Sequence, residues 1–198
     1  MSIGPYWTGD NPASPITLDL YSEEDFSAYT SATVSVVDPE GVTTQTIGPV
    51  PVEDEEVTFT FPAGSFPTAG LYNLDVLLLG DGMVTLPPQP VVVQEHDGWH
   101  TLESTRNEWH DAPADDAQLY VFLESSKEQC LAYAPALVGR PSHSFRQAQL
   151  LQARALWQAV KTNPDGQLDA NGFQVQVYPL DRNIRALLRP RRGVPVFL

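Results

Sequence analysis

FPTAGLYNLDVLLL, residues 66–79, opens on a proline-glycine turn and runs straight into an apolar stretch centred on Leu74, Val76 and Leu78. Pro67 presets φ and Gly70 tolerates positive φ, so the chain turns there before residues 71–79 extend as a strand. Working outward, ITLDLY (16–21), ATVSVVD (32–38), VTTQTI (42–47), EVTFTF (56–61) and VVVQ (91–94) are likewise rich in β-branched and aromatic residues, several with apolar residues at every second position. Pro39-Glu40-Gly41 supplies one turn between them, and Gly80-Asp81-Gly82 offers a hairpin into Met83–Leu86.

Six or seven short strands within residues 1–97 predict an all-β unit, an antiparallel sandwich of immunoglobulin type. Phe66 to Tyr72 resembles the corner that enters a late strand of such domains, where a tyrosine packs inward and its hydroxyl ties down the loop. Alternatively Tyr72 is a plain strand aromatic.

Charge divides the chain at the same place. No Lys or Arg occurs before Arg106, whereas 16 of the 25 Asp plus Glu lie in residues 1–105, and the whole chain carries a net charge of -14. Affinity drawn from neutralising phosphates is therefore excluded as its main business. Proline agrees with the division, since 11 of 18 precede residue 100. The single cysteine, Cys130, can close no intrachain disulfide, so packing must hold the fold. Met1–Pro12 has neither a basic start nor an apolar run, and the longest aliphatic stretch is Val76–Leu79, so neither a signal peptide nor a membrane span is expected.

Residues 98–114 show no sustained period and read as a linker, with Trp99 and Trp109 docking it onto a neighbour. From 115 the period becomes 3.6. Asp115 and Gln118 cap a helix with Leu119, Phe122, Leu123, Ser126, Cys130, Tyr133 and Ala134 on one stripe, ended by Pro135. Ser144 and Gln147 form the next capping box, opening a helix over 145–162. One of its faces carries Phe145, Ala148, Leu151, Ala155, Leu156, Ala159 and Val160; Leu150 and Trp157, with Arg154 between them, form a second. Such a helix either presents its second face to another subunit or is buried on both sides within its own domain. Asn163-Pro164-Asp165-Gly166 breaks it, FQVQVY (173–178) alternates as a short strand, and Asp181 caps a last helix with Ile184, Leu187 and Leu188 inward. The helical domain thus spans 115–190, followed by a tail, 191–198, that is cationic and then apolar.

No catalytic constellation appears: there is no Gly-x-Ser-x-Gly, no phosphate loop and no His-Glu-x-x-His. His96, His100 and His110 with Glu95, Asp97 and Asp111 have ligand chemistry but not the spacing of a zinc site, and are read as solvated polar residues. Asp165, Asp169 and Asn171 depart from a calcium loop, and Cys130 falls in an apolar stripe as a small buried hydrophobe. The expectation is a non-enzyme with no metal and no cofactor.

LESSKEQCLAYAP (123–135), FRQAQLLQARALW (145–157), YPLD (178–181) and LLRPRRG (187–193), in that order, resemble the head-to-tail connector (adaptor) proteins of long-tailed phages of Actinobacteria, over about residues 115–195. The resemblance implies a virion protein of the neck, assembled in the host cytoplasm. It would form a ring, a dodecamer, between the portal protein and the stopper or tail-terminator protein, lining a passage through which DNA moves without specific binding. It also implies a portal-binding tail, for which Arg189, Arg191, Arg192, Val194, Val196 and Phe197 have the right character, and the face of Leu150, Arg154 and Trp157 would meet the next subunit. The N-terminal β unit has no counterpart in the minimal family. It opens a second possibility, a surface module recognising host glycan or protein through Tyr6, Trp7 or Trp99.

Overall fold

The computed structural model describes residues 3–20, 26–135, 137, 139–162 and 180–189. The chain forms two compact units, Met1–His96 and Asp97–Leu198.

The first unit is all-β. Its strands are β1 (Ile3–Trp7), β2 (Ile16–Asp19), β3 (Tyr29–Val37), β4 (Thr43–Glu53), β5 (Glu56–Phe59), β6 (Gly70–Gly80), β7 (Met83–Thr85) and β8 (Gln89–Gln94). They follow the order β1-β8-β6-β3-β4-β5-β2, with β7 beside β6. Alternation along β3 sends Ala32, Val34 and Val36 inward, and the antiparallel register sets them opposite Leu78, Val76 and Leu74 of β6. Val57 and Phe59 of β5 and Val91 and Val93 of β8 complete this core. It is closed by an aromatic cluster in which Phe61 meets Phe59 and Phe66 edge-on and Tyr6 stacks on Phe66.

β4 changes partners along its length. Its first part pairs with β3, and Val52 and Glu53 pair with Val57 and Glu56 of β5. The bend falls at Gly48-Pro49, beside a register shift between Ala32 and Val34. Gly48 has φ +132°, and a Cβ there would lie 2.8 Å from the Ala32 carbonyl oxygen, so only glycine lets the two backbones approach. Whereas the sequence ends this strand at Ile47, the observed strand runs on through the bend to Glu53.

Tyr72 is fully buried. Its hydroxyl donates to the Thr68 carbonyl oxygen at 2.9 Å and accepts from the Thr68 N–H at 3.3 Å, so the inward-packed tyrosine that anchors its own loop is present. One strand was not foreseen. β1 lies at the edge and pairs with β8 in parallel, in contrast to the antiparallel pairing elsewhere. Pro5, which has no N–H, is tolerated because an edge strand needs partners on one side only.

The second unit is helical: α1 (Leu102–Glu108), α2 (Asp116–Tyr133), α3 (His143–Thr162) and α4 (Arg182–Leu188). The Gln118 N–H donates to the Asp115 carboxylate at 2.6 Å, and the Asn183 N–H to the Asp181 carboxylate at 2.7 Å, so both aspartates cap as the sequence predicts. α3 begins at His143, which puts Ser144 inside its first turn rather than at the cap. Cys130 and Ala134 of α2, Ala148 of α3, and Ile184 and Leu188 of α4 pack together with Trp99. Small side chains on α2 and α3 let the helices close up on α4.

Residues 98–114 are not a linker. They contain α1, whose capping box joins the Thr101 hydroxyl to the Ser104 N–H and the Ser104 hydroxyl to the Thr101 N–H. Trp99 and Trp109 are buried, and the unit begins at Asp97 rather than at 115. The expected strand 173–178, the loop around Asp165, Asp169 and Asn171, and the tail 191–198 lie outside the described residues.

Candidate interaction surfaces of the helical unit

α3 decides which surfaces are free. Its first face, with Phe145, Ala148 and Leu151, belongs to the cluster shared with α2 and α4. The face expected to meet a neighbouring subunit is occupied inside the unit. Leu150 is buried, with 5% of its surface exposed. A guanidinium N–H of Arg154 donates to the Glu108 carbonyl oxygen at the end of α1, and the group lies over the Trp109 ring at 5.6 Å. Trp157 meets Phe122 of α2 edge-on, ring centres 5.7 Å apart, and Lys161 covers its other side at 4.8 Å. Of the expected inter-subunit face, Leu150 is thus buried within its own unit, and Arg154 and Trp157 are half-buried with partners there. The segment mistaken for a linker folds as α1 and, with its flanks, engages the arginine.

Two buried glutamines fix this arrangement. The Gln149 side-chain oxygen accepts from the His100 N–H at 3.0 Å while its amide donates to the Leu123 carbonyl oxygen at 3.2 Å. The Gln152 amide donates to the Gln129 side-chain oxygen at 2.7 Å. Buried amides must be satisfied, so α3 is held in register on α2 and on the entrance to α1 by polar contacts that tolerate little sliding.

His100 is buried with its Nδ1 3.1 Å from the Ser104 hydroxyl. Burial holds its imidazole below the ordinary histidine value; Arg146, His143 and Arg154 push the same way, and Glu108 opposes them. The ring is thus kept neutral, as a structural acceptor or donor to Ser104. His96 lies in the other unit, stacked on Trp7 with ring centres 3.9 Å apart. Among the described residues no three His, Cys, Asp or Glu side chains gather as a metal site. Cys130 is fully buried and its thiol is pushed up to about 12 by burial, so thiolate chemistry at neutral pH is closed to it.

Exposed charges of both signs are spread over this unit, and arginines gather at its last helix. Arg182 and Arg185 of α4 and its C-cap Arg189 are exposed, while Ile184 and Leu188 hold the helix to the core. The Arg189 guanidinium rests on the Tyr133 ring at 4.8 Å. Val160 is the one large hydrophobic side chain of the unit that is strongly exposed among the described residues. Of the proposed portal-contacting residues, only Arg189 is described; Arg191, Arg192, Val194, Val196 and Phe197 are not. Of the aromatics considered for sugar stacking, Tyr6 is packed between Phe61 and Phe66 and Trp99 is buried against Phe145, which leaves Trp7.

No protein-family model matches the chain, and no curated protein matches it. Among solved structures, CopC from Methylosinus trichosporium OB3b is similar to 48% of this chain, over 89% of its own length, at 16% identity and a TM-score of 0.30. A likeness of that size carries no argument about function.

Proposed function

We propose that this protein is a structural component of a phage neck, a head-to-tail adaptor that assembles as a ring between portal and stopper or tail and frames the DNA passage. The observation that carries the reading is the arginine face of α4. It is held rigidly by Ile184 and Leu188 and leads directly into RRGVPVFL, a cationic and then apolar segment suited to a carboxylate-lined groove on an adjacent ring. The order of α2, α3 and α4, and the residues they share with the adaptor pattern, support it. Nothing among the described residues supports an enzyme.

The β unit is, in the same proposal, an immunoglobulin-like sandwich added to the adaptor. What supports this reading is the β8-β6-β3 order, the β2–β5 pair and the Tyr72 hydroxyl bonded to the Thr68 carbonyl oxygen.

Ending the chain at Pro190 tests the adaptor directly. The shortened protein should fold but fail to join portal-bearing heads, and an electron-microscopy map of the virion should place the full chain at the tail vertex. Normal incorporation of the shortened chain, or absence of the chain from that vertex, overturns the reading. The stacked Trp7–His96 pair favours a second reading, host glycan recognition by the β unit. Glycan-array binding lost on Trp7→Ala would establish it, and silence of the full chain on the array would remove it.

A further inference from the structure

Charge is partitioned between the two units without compensation. Met1–His96 contains 14 Asp plus Glu and no Lys or Arg, while Asp97–Leu198 contains 11 of each. The β unit thus has no Lys or Arg of its own to offset its carboxylates. The densest group is the turn joining β4 and β5. Glu53 and Glu56 face each other across the ladder, Asp54 and Glu55 form the two-residue tip with φ of 51° and 61°, and all four are exposed. So tight a turn projects four carboxylates from one small knob.

The helical unit carries the complement. Arg182 and Arg185, three residues apart, lie on one stripe of α4, Arg189 follows as its C-cap, and all three are exposed. None of them forms an ion pair with another described residue. The buried Ile184 and Leu188 on the opposite side, and the Tyr133 ring under Arg189, keep the stripe in place before any partner arrives.

We infer that the arginine face of α4 docks on the Glu53–Glu56 knob of a second copy of this chain. Guanidinium forks take carboxylates in pairs, and the chain itself supplies both halves of the contact. Because the two patches differ, each copy offers one of each, and the contact repeats from copy to copy until it closes. The inference rests on the ring reading above and names the contact within it. The net charge of -14 on each copy opposes approach. At low salt that repulsion reaches across whole molecules, whereas at roughly 0.15 M its range falls to about 8 Å and groups in contact still attract. Association is therefore strongest at intermediate salt and weaker on both sides.

Sedimentation velocity of the full chain at up to about 100 µM, in about 10 mM, 150 mM and 1 M NaCl, tests this. The expected result is concentration-dependent association that peaks near the middle condition. Arg182→Glu with Arg185→Glu should weaken it tenfold or more, as should Glu53→Lys with Glu56→Lys, and mixing the two double variants should restore it. All four positions are exposed, and circular dichroism verifies that the variants fold. A wild type that stays monomeric throughout, variants that associate unchanged, or a mixture no better than its parts overturns the inference. So does duplex DNA binding with the same arginine dependence and no self-association, which would assign the stripe to phosphate. A chain found at the tail vertex but monomeric in solution refutes this contact alone; one absent from the virion yet associating as described refutes only the adaptor.

Discussion

Leu150→Ala separates an interior side chain from an interfacial one. Leu150 is 5% exposed on α3, in the face that also carries Arg154 and Trp157. Truncation removes three carbons from a buried site, worth about 2.4 kcal/mol of transfer free energy at about 0.8 kcal/mol each, and the residual cavity raises the total to about 3 kcal/mol. In urea, a unit of this size has a slope near 1 kcal/mol/M, so the midpoint should fall by roughly 2–3 M. Three of the four tryptophans, Trp99, Trp109 and Trp157, lie in the helical unit, so their fluorescence follows the transition. Val160→Ala, at an exposed position on the same helix, is the control and should cost under about 0.5 kcal/mol. A loss below about 1 kcal/mol for Leu150→Ala, accompanied by weakened assembly, would return that face to a neighbouring subunit and refute the packing described above.

Tyr72→Phe removes the hydroxyl bonded to Thr68 and should cost the β unit about 1–2 kcal/mol, at the low end because water can reach exposed Thr68; differential scanning calorimetry should show it as a lower Tm, and an unchanged transition would count against the corner. For His100 the folded imidazole binds its proton more weakly than the unfolded one. The unfolded state therefore takes up more protons as pH falls below about 6.5, and stability should drop on acidification by at most about 1.4 kcal/mol per pH unit. His100→Gln should flatten that slope, measured by urea titrations between about pH 7 and pH 5, and a variant as pH-sensitive as the wild type would contradict it. Cys130 should resist a thiol reagent near pH 8 in the native chain and react fully in denaturant; rapid native labelling would show that the α2–α4 core opens readily.

Much of the β unit was legible because alternation in β3 and β6 is strong and Tyr72 announces its corner. β1 was not, because Gly4-Pro5 breaks the pattern a strand shows, and an edge position excuses that break only once the neighbour is known. The extension of β4 was hidden in the same way by Gly48-Pro49. α1 escaped because seven residues span too few turns to show a period, with Leu102 and Thr105 its buried positions. Its capping box also uses Ser104 where Glu or Gln is the usual sign. That single omission propagated: with α1 unseen, Arg154 had no visible partner, and the second face of α3 invited an external one. A Thr-x-x-Ser box beside two tryptophans was the available clue. The α4 stripe could be read from arginine spacing, but that all three guanidinium groups stay exposed required the fold.

A β unit without one Lys or Arg has a practical corollary. Trypsin first cuts after Arg106, itself within α1, so digestion leaves the β unit and the first part of that helix in one long peptide. Lysine-directed reagents likewise find no side chain to modify across the whole β unit, and mapping its neighbours will depend on carboxylate chemistry instead.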